Sequence, residues 1–208
     1  MTLIVHLVHK DYQVVAADGK LTGVVQEYFR KVIAYPNGFL YYMGEIAGTG
    51  NFGLHEWITT ELPLTCAIGS VEEIKQMLIA VRKRAVRELS SEPQFCVGFG
   101  GLIARDEVSR LVQFDGADCI LQTSRAFVSK KELEVCYNEA YRKTYGQSGK
   151  LLVPDKFGLT DMRLLDCFFA DAVGCRGSAA DFNVSLNVGI VRMGQCEWLR
   201  EDNDVVRT

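Results

Sequence analysis

The first apolar stretch of the chain constrains the fold more than any other segment. It reads TLIVHLV from Thr2 to Val8, so apolar and β-branched residues fill nearly every position instead of alternate ones. A strand of this kind is expected to be buried on both faces and therefore needs a covering layer on either side. After a short turn at residues 10–13, VVAA predicts a second strand that ends close to Asp18.

Strands and helices are segregated along the rest of the sequence. A third strand is predicted to begin near Phe29, and Pro36-Asn37-Gly38 predicts a turn into the fourth. The remaining predicted strands are QFCVGFGGLIA and SRLVQFDG, joined by a hairpin at 105–107, and the tail segments FNVSLNVGIVRMG and CEWL. The predicted helices cover about 48–62, a segment behind a capping box at Ser70, about 129–145 and about 160–173. This order favours an α+β fold in one domain, residues 1–208.

Composition excludes several classes of function. The 23 basic and 26 acidic residues give a net charge of −3, which indicates neither a nucleic-acid partner nor an anionic membrane. No window approaches the roughly 20 apolar residues needed to span a bilayer, and the start does not resemble a secretory signal. The sequence also has no phosphate-binding G-x-x-x-x-G-K-[ST] motif. We therefore expect a cytoplasmic protein with no nucleotide cofactor.

The cysteines and histidines predict no metal centre. The seven cysteines are an odd number without a C-x-x-C pair, which favours reduced, mostly buried thiols over disulfides or a zinc site. The three histidines are widely scattered. His6 lies in an apolar strand and is expected to be a hydrogen-bonded core residue, whereas His9 is expected to be solvated.

Thr2, Asp18 and Lys31 form a candidate catalytic set. An N-terminal threonine can attack a carbonyl through its hydroxyl, while its own α-amine accepts the proton and later returns it. A nearby ammonium would lower the pKa of that amine, and Lys31 could supply one, with Asp18 as its carboxylate partner. If the first two strands pair, Thr2 and Asp18 lie at the same end of the hairpin.

The segment TLIVHLVHKDYQVVAADGKLTG resembles the opening of proteasome β-type subunits and of HslV, a bacterial proteasome-like peptidase. These N-terminal nucleophile hydrolases begin with a catalytic threonine and then carry a motif such as A-D-S-R-x-T or G-D-G-Q-x-T. The chain has ADGKLT at 17–22, and its threonine-to-aspartate spacing agrees without a gap. The segments GFLYYMGEIAGTGNF and FCVGFGGLIARDEVSRLVQFDG extend the resemblance to about residue 118. The resemblance implies a four-layer αββα sandwich.

The resemblance also implies the roles of the site residues. Thr2 would be the nucleophile after removal of Met1, Asp18 would orient Lys31, and Lys31 would tune the proton transfer. Lys31 arrives slightly earlier than the lysine of the family. The oxyanion donor would be the backbone N–H of Gly44, with that of Glu45 as the alternative. The supporting serine and aspartate would be Ser124 and Asp181, with Ser178 or Ser185 also possible, and residues 43–47 would line part of the substrate pocket.

The function implied is hydrolysis of unfolded polypeptides inside a homo-oligomeric ring, with an ATP-dependent unfoldase as a possible partner. Two alternatives stay open. One is a ring-forming structural subunit without activity, which a retained Met1 would favour, because Thr2 would then have no free amine. The other is an amidase that uses the same nucleophile on small molecules.

Overall fold

The computed structural model describes residues 3–18, 31–45, 53–90, 94–101, 111–115, 118–122, 126–175, 186–192 and 195–201. Within these ranges the chain forms two antiparallel five-stranded sheets and four α-helices. The fold is therefore mixed α/β, with both sheets antiparallel. The α+β class is consistent with it, whereas the four-layer αββα sandwich and the single domain stay predictions.

The first sheet contains both ends of the described chain. Its strands are β1 (Ile4–Val8), β2 (Tyr12–Asp18), β8 (Ala126–Val128), β9 (Leu186–Arg192) and β10 (Gln195–Glu201), in the spatial order β10-β9-β2-β1-β8. The strands of the second sheet follow one another in sequence: β3 (Val32–Tyr35), β4 (Gly38–Glu45), β5 (Gln94–Gly101), β6 (Leu111–Asp115) and β7 (Asp118–Gln122). The helices are α1 (Gly53–Glu61), α2 (Val71–Leu89), α3 (Glu134–Tyr145) and α4 (Met162–Cys175).

Three hydrophobic clusters hold these elements together. One packs α3 and α4 against the first sheet, and a second packs α1 and α2 against the second sheet. The third joins the two sheets, with Ile4 and Val15 from the first sheet and Val32, Phe39 and Tyr41 from the second. Every residue of β1 and β2 is buried, so the two-sided burial predicted from the opening segment is confirmed.

A polar network also crosses between the sheets. The Nε2 atom of His6 lies 3.0 Å from Oε1 of Gln13, whose Nε2 donates to the carbonyl of Gly101 at 3.0 Å. The Nδ1 atom of His6 lies 3.4 Å from the hydroxyl of Tyr41. A Cβ at Gly100 would approach Nε2 of His6 to 2.7 Å, so this position needs a glycine. The prediction of a hydrogen-bonded core histidine at His6 is confirmed.

Several predicted boundaries are correct and others are displaced. The turn at residues 36–37 and the cap of α2 are confirmed, since Ser70 Oγ accepts the N–H of Glu73 at 3.2 Å. The strand predicted near Phe29 is observed from Val32, and residues 19–30 lie outside the described ranges. The helix predicted from 48 begins at Gly53, and the hairpin predicted at 105–107 also lies outside them.

Three local predictions differ from the structure in detail. The helix predicted from residue 129 begins only at Glu134, behind a 3-10 turn, because Ser129 continues the pairing of β8 with β1 through its N–H to the carbonyl of Ile4. The helix predicted from residue 160 begins at Met162. His9 is not fully solvated, because its ring stacks on Tyr12 with centroids 4.9 Å apart.

Two further findings bear on the composition arguments. Within the described part of the chain, no helix is both long and apolar enough to cross a membrane. Among the described cysteines, Cys136 is buried, Cys167 and Cys196 are half-buried and Cys66 is exposed, so the expectation of mostly buried thiols is met only in part.

Candidate active site

The carboxylate of Asp18 joins the beginning of the described chain to Lys31. Its Oδ1 atom accepts the backbone N–H of Leu3 at 2.7 Å and also lies 3.0 Å from Nζ of Lys31. Leu3 directly follows Thr2 in the sequence. One carboxylate oxygen therefore holds an ammonium group close to the residue adjacent to the predicted nucleophile.

The first hairpin places Asp18 at this position. Ile4 pairs with Ala17 in the antiparallel register of β1 and β2, and the next pair outward is Leu3 with Asp18. The N–H of Asp18 donates to the carbonyl of Leu3 at 3.0 Å, so the two residues are bonded through both main chain and side chain. The strand pairing predicted from the sequence is therefore present to the last described residue of the hairpin.

Lys31 reaches Asp18 from the second sheet. It directly precedes β3, and its carbonyl accepts the N–H of Tyr42 in β4 at 3.2 Å. Since Asp18 ends β2 of the first sheet, the ion pair connects the two sheets. The contact between Asp18 and Lys31 that the sequence suggested is present, while the catalytic roles of the two residues stay predictions.

The ion pair is almost completely shielded from solvent. The side chains of Lys31 and Asp18 are 1% and 0% exposed. Burial lowers the pKa of Lys31, and the carboxylate of Asp18 opposes this by favouring the charged form. Because desolvating two charges costs several kcal/mol per ion, a buried pair of this kind is weak as a source of stability and points to another role.

The backbone N–H groups of Gly44 and Glu45, the two oxyanion donors that the sequence left open, point to opposite edges of β4. Successive residues of a strand direct their N–H groups to opposite edges, and Tyr42 bonds to Lys31 on the β3 side. Gly44 follows two residues later, so its N–H points to the same side, past the end of β3 where Lys31 lies. The backbone N–H of Glu45 points instead towards β5, where Glu45 pairs with Gln94.

Thr2, Ser124 and Asp181, together with the alternatives Ser178 and Ser185, lie outside the described ranges. Their roles stay predictions. Of the predicted pocket residues 43–47, Met43 packs against the cluster between the sheets, and residues 46–47 are likewise not described.

Ser129 contributes to this region without having been predicted. Its hydroxyl accepts the N–H of Ile4 at 3.0 Å, and its own N–H donates to the carbonyl of Ile4 at 3.0 Å. Ser129 therefore holds β1 from one side while Asp18 holds it from the other. No local signal marks it, because a serine before a helical pattern is usually read as a helix cap.

In the described part of the chain, no group of three or more His, Cys, Asp or Glu side chains could hold a metal ion. An ammonium–carboxylate pair such as Lys31 and Asp18 is able to take part in acid–base chemistry.

Comparison with solved structures shows a similar fold in Anbu proteins. Anbu (ancestral beta-subunit) from Yersinia bercovieri matches with a TM-score of 0.59 and 16% identity, covering 96% of this chain and 88% of that one. An Anbu (Gly-1) mutant from Hyphomicrobium sp. strain MC1 matches with a TM-score of 0.57 and 14% identity, covering 98% and 89%. No protein-family model and no curated protein matches the chain.

These results correct the family assignment made from the sequence. The assignment to proteasome β-type subunits and HslV is wrong, because the structural similarity is to Anbu proteins and no family model supports it. The error has a simple cause. The motif at 17–22 begins with the end of β2, where Asp18 is buried. A local feature of this kind does not distinguish one family from another that has a similar fold. At 14–16% identity the similarity establishes the fold alone.

Proposed function

We propose that the chain is a cytoplasmic N-terminal threonine hydrolase that cleaves peptide bonds of unfolded polypeptides once Met1 has been removed from Thr2. The observation that carries this proposal is the buried ion pair of Lys31 and Asp18, bonded to the backbone amide of Leu3. A lysine that is 1% exposed, with a lowered pKa and a carboxylate partner, is typical of a residue retained for chemistry.

The position of the ammonium supports this assignment. Nζ of Lys31 and the amide nitrogen of Leu3 share Oδ1 of Asp18, so they lie within two hydrogen-bond lengths of each other. Thr2 is bonded covalently to that amide nitrogen. A free α-amine on Thr2 would feel the positive charge of Lys31, which lowers its pKa below the ordinary value of about 7.7–8.0. The amine would then be neutral near physiological pH and able to accept a proton.

The proposed reaction proceeds through a covalent ester. The hydroxyl oxygen of Thr2 attacks the peptide carbonyl carbon, and the α-amine takes the hydroxyl proton. The amine gives this proton to the leaving nitrogen as the C–N bond breaks, which leaves the acyl group esterified to Thr2. Water then attacks the ester carbonyl while the amine takes a proton from it. The ester C–O bond breaks, and the proton returns to the oxygen of Thr2.

The main chain of β4 would stabilise the tetrahedral intermediates. Of the two candidates, the N–H of Gly44 is favoured over that of Glu45, because strand alternation directs it to the side of β4 on which Lys31 lies. A donor held in a strand needs no reorganisation as charge develops on the substrate oxygen. Ser124 and Asp181 complete the proposed site as supporting residues.

The proposal includes an assembly. The similarity to Anbu, described as an ancestral beta-subunit, supports a homo-oligomeric ring of single-domain, four-layer αββα subunits. Active sites facing an enclosed chamber would restrict hydrolysis to unfolded chains, and an ATP-dependent unfoldase could supply these chains.

The decisive experiment replaces the nucleophile. We expect Thr2→Ala to reduce hydrolysis of a fluorogenic peptide by about a thousandfold or more, because the attacking oxygen is lost. The variant should also no longer react with a threonine-directed covalent inhibitor. Thr60→Ala is the matched control, since this hydroxyl is exposed on α1 and donates only to the carbonyl of Glu56. Unchanged turnover in the Thr2→Ala chain would refute the proposal.

Intact-mass measurement and gel filtration complete the test. An active enzyme is expected to lack Met1 and to elute as a ring. A ring that keeps Met1 and shows no hydrolysis would instead be a structural subunit. Hydrolysis of small amides by a monomer or dimer would identify an amidase without a chamber.

A further inference from the structure

A pocket of about 490 Å³ opens beside α3, far from the candidate active site. Its walls are the last turn of α3, the segment that follows it and Asp161. Tyr12 connects this region to the first sheet, because its hydroxyl donates to the carbonyl of Pro154 in the pocket wall. Tyr12 begins β2 and Asp18 ends it, so the two sites are roughly 20 Å apart along the strand. The volume falls in the range of small-molecule sites, about 300–1,000 Å³.

Two adjacent tyrosines form the aromatic part of the wall. The rings of Tyr141 and Tyr145 have centroids 4.7 Å apart and are tilted by 42°. The hydroxyl of Tyr145 donates to Oδ1 of Asp161 at 2.8 Å, and Oδ2 of Asp161 accepts the N–H of Gly158 at 2.8 Å. Tyr145 and Asp161 are therefore held in place by bonds within the protein.

Tyr141 differs from its neighbour because its hydroxyl has no hydrogen-bond partner anywhere in the described ranges. The residue is only 5% exposed, and it lines the pocket. Burial and the carboxylate of Asp155 both raise the pKa of Tyr141, so the phenol stays neutral and its oxygen can accept a hydrogen bond. Only His55 and Arg82 carry buried unbonded side-chain atoms in the described ranges, so the hydroxyl of Tyr141 is accessible from the pocket, where an entering molecule can bond to it.

The charges around the pocket favour a cation. Asp155 and Asp161 line it together with one lysine, Lys156, so its ionic side chains are net negative. Burial raises the pKa of Tyr12 beside the pocket, Asp161, Tyr141 and Asp155 add to this shift, and Arg192 opposes it. Asp155 is exposed and forms no ion pair with any described residue. Its carboxylate is therefore available to a ligand.

We propose that this pocket binds an alkyl guanidinium or alkyl ammonium group, either as a free cation or on a basic side chain of a peptide. The cation pairs with Asp155, donates an N–H to the hydroxyl oxygen of Tyr141 and lies against the tyrosine rings, whose faces attract positive charge. An anion would be repelled by the two carboxylates. A neutral apolar ligand would desolvate Asp155 and Tyr141 without replacing their hydrogen bonds with water.

The test compares a cation with its neutral isostere on the full chain. Isothermal titration calorimetry at low ionic strength would measure binding of butylguanidinium, butylurea and the capped peptide acetyl-Gly-Arg-Gly-amide. We expect butylguanidinium to bind at least about tenfold more tightly than butylurea. Equal affinities for the two, or no binding of butylguanidinium and the peptide, would overturn the proposal. Binding of the peptide as well identifies a basic side chain as a ligand, whereas binding of butylguanidinium alone identifies a free cation.

Three variants locate the binding. Tyr141→Phe removes a single oxygen and is expected to weaken butylguanidinium binding about fivefold. Asp155→Asn is expected to weaken it about tenfold. Asp171→Asn is the matched control, because it makes the same charge change on α4 outside the pocket and should leave affinity unchanged. If Asp171→Asn weakened binding as much as Asp155→Asn, the attraction would be diffuse and the site refuted. Unchanged melting temperatures verify that the variants are folded.

Discussion

Two lysine–aspartate pairs of nearly equal length lie in very different surroundings. Lys31 and Asp18 are 3.0 Å apart with side chains 1% and 0% exposed, whereas Lys143 and Asp171 are 2.9 Å apart with side chains 46% and 32% exposed. The pKa of Lys143 is raised, chiefly by its hydrogen bond to Asp171. The pKa of Lys31 is lowered because burial outweighs the attraction of Asp18. Burial, not the distance between the charges, decides the sign.

The difference shows what each pair can do for the protein. An exposed pair between α3 and α4 contributes little, because water already solvates both charges and salt screens them. A pair withdrawn from water must offset a large desolvation cost through its own geometry. Either ion alone would destabilise the fold, and the proposed function gives the pair a role in catalysis instead.

The largest effect is expected when the buried pair loses one charge. Asp18→Asn leaves the ammonium of Lys31 without its counter-ion and should lower the free energy of unfolding by about 3–5 kcal/mol. The pKa of Lys31 should fall further, because burial then acts without the opposing carboxylate. Urea denaturation followed by circular dichroism would measure the change.

A charge-free replacement separates stability from catalysis. Combining Asp18→Asn with Lys31→Met removes both ions, so most of the lost stability should return while peptide hydrolysis stays abolished. A double variant as unstable as Asp18→Asn alone would show that altered packing, and not the unbalanced charge, causes the loss of stability. Recovered activity would remove Lys31 from the proposed mechanism.

His6 is a second buried titratable group, and its partners are neutral. Burial lowers its pKa from 6.5 to about 4. The unfolded chain therefore binds more protons between these values, and stability is lost as the pH falls through this window. The total loss is about 3 kcal/mol. The free energy of unfolding of His6→Leu, measured from about pH 7 to about pH 4, should lack this part of the slope.

The lost contacts of His6 with Gln13 and Tyr41 should cost His6→Leu the same amount at every pH in this range. The comparison therefore depends on slopes alone. Parallel curves for the two proteins would mean that His6 is protonated as easily in the folded chain as in the unfolded one.

A smaller effect is expected at alkaline pH. Because the pKa of Lys31 lies below its ordinary value of 10.5 in the folded chain, the unfolded chain binds more protons between the two values. The stability contributed by this group should rise with pH across that interval. The measurement is the difference in unfolding free energy between the wild type and the Asp18→Asn/Lys31→Met chain, from about pH 7 to about pH 10. Both proteins contain the same tyrosines, so the difference reports the contribution of Lys31. A difference that falls with pH would give Lys31 the sign of an ordinary surface lysine.

The smallest effect is expected at the exposed pair. Asp171→Asn should leave the free energy of unfolding within experimental error, because both charges of the pair are solvated. Lys143 should also show the opposite pH dependence from Lys31, losing its small contribution as the pH rises through its raised pKa. If Asp171→Asn lowered the free energy of unfolding as much as Asp18→Asn, the proposed difference between the two pairs would be refuted.

Local patterns predicted most of the secondary structure. The spacing of apolar residues behind Ser70 predicted α2, whose cap forms as expected between Ser70 and the N–H of Glu73. The strands β7 and β8 were not predicted, and the three residues of β8 are too few to show a periodicity. The start of α3 was misplaced because Ser129 bonds to Ile4, which is 125 residues away in sequence.

The sequence by itself determined that β1 and β2 pair and that Asp18 lies beside Leu3. Those contacts depend on strand propensity, a short turn and residue spacing, all of which are local. Only the tertiary structure decided that Lys31 reaches Asp18 from the other sheet, that both are buried, and that Tyr141 borders a pocket with its hydroxyl bonded to no described residue. These facts depend on how the sheets and helices pack, and packing is set by contacts between residues that are distant in sequence.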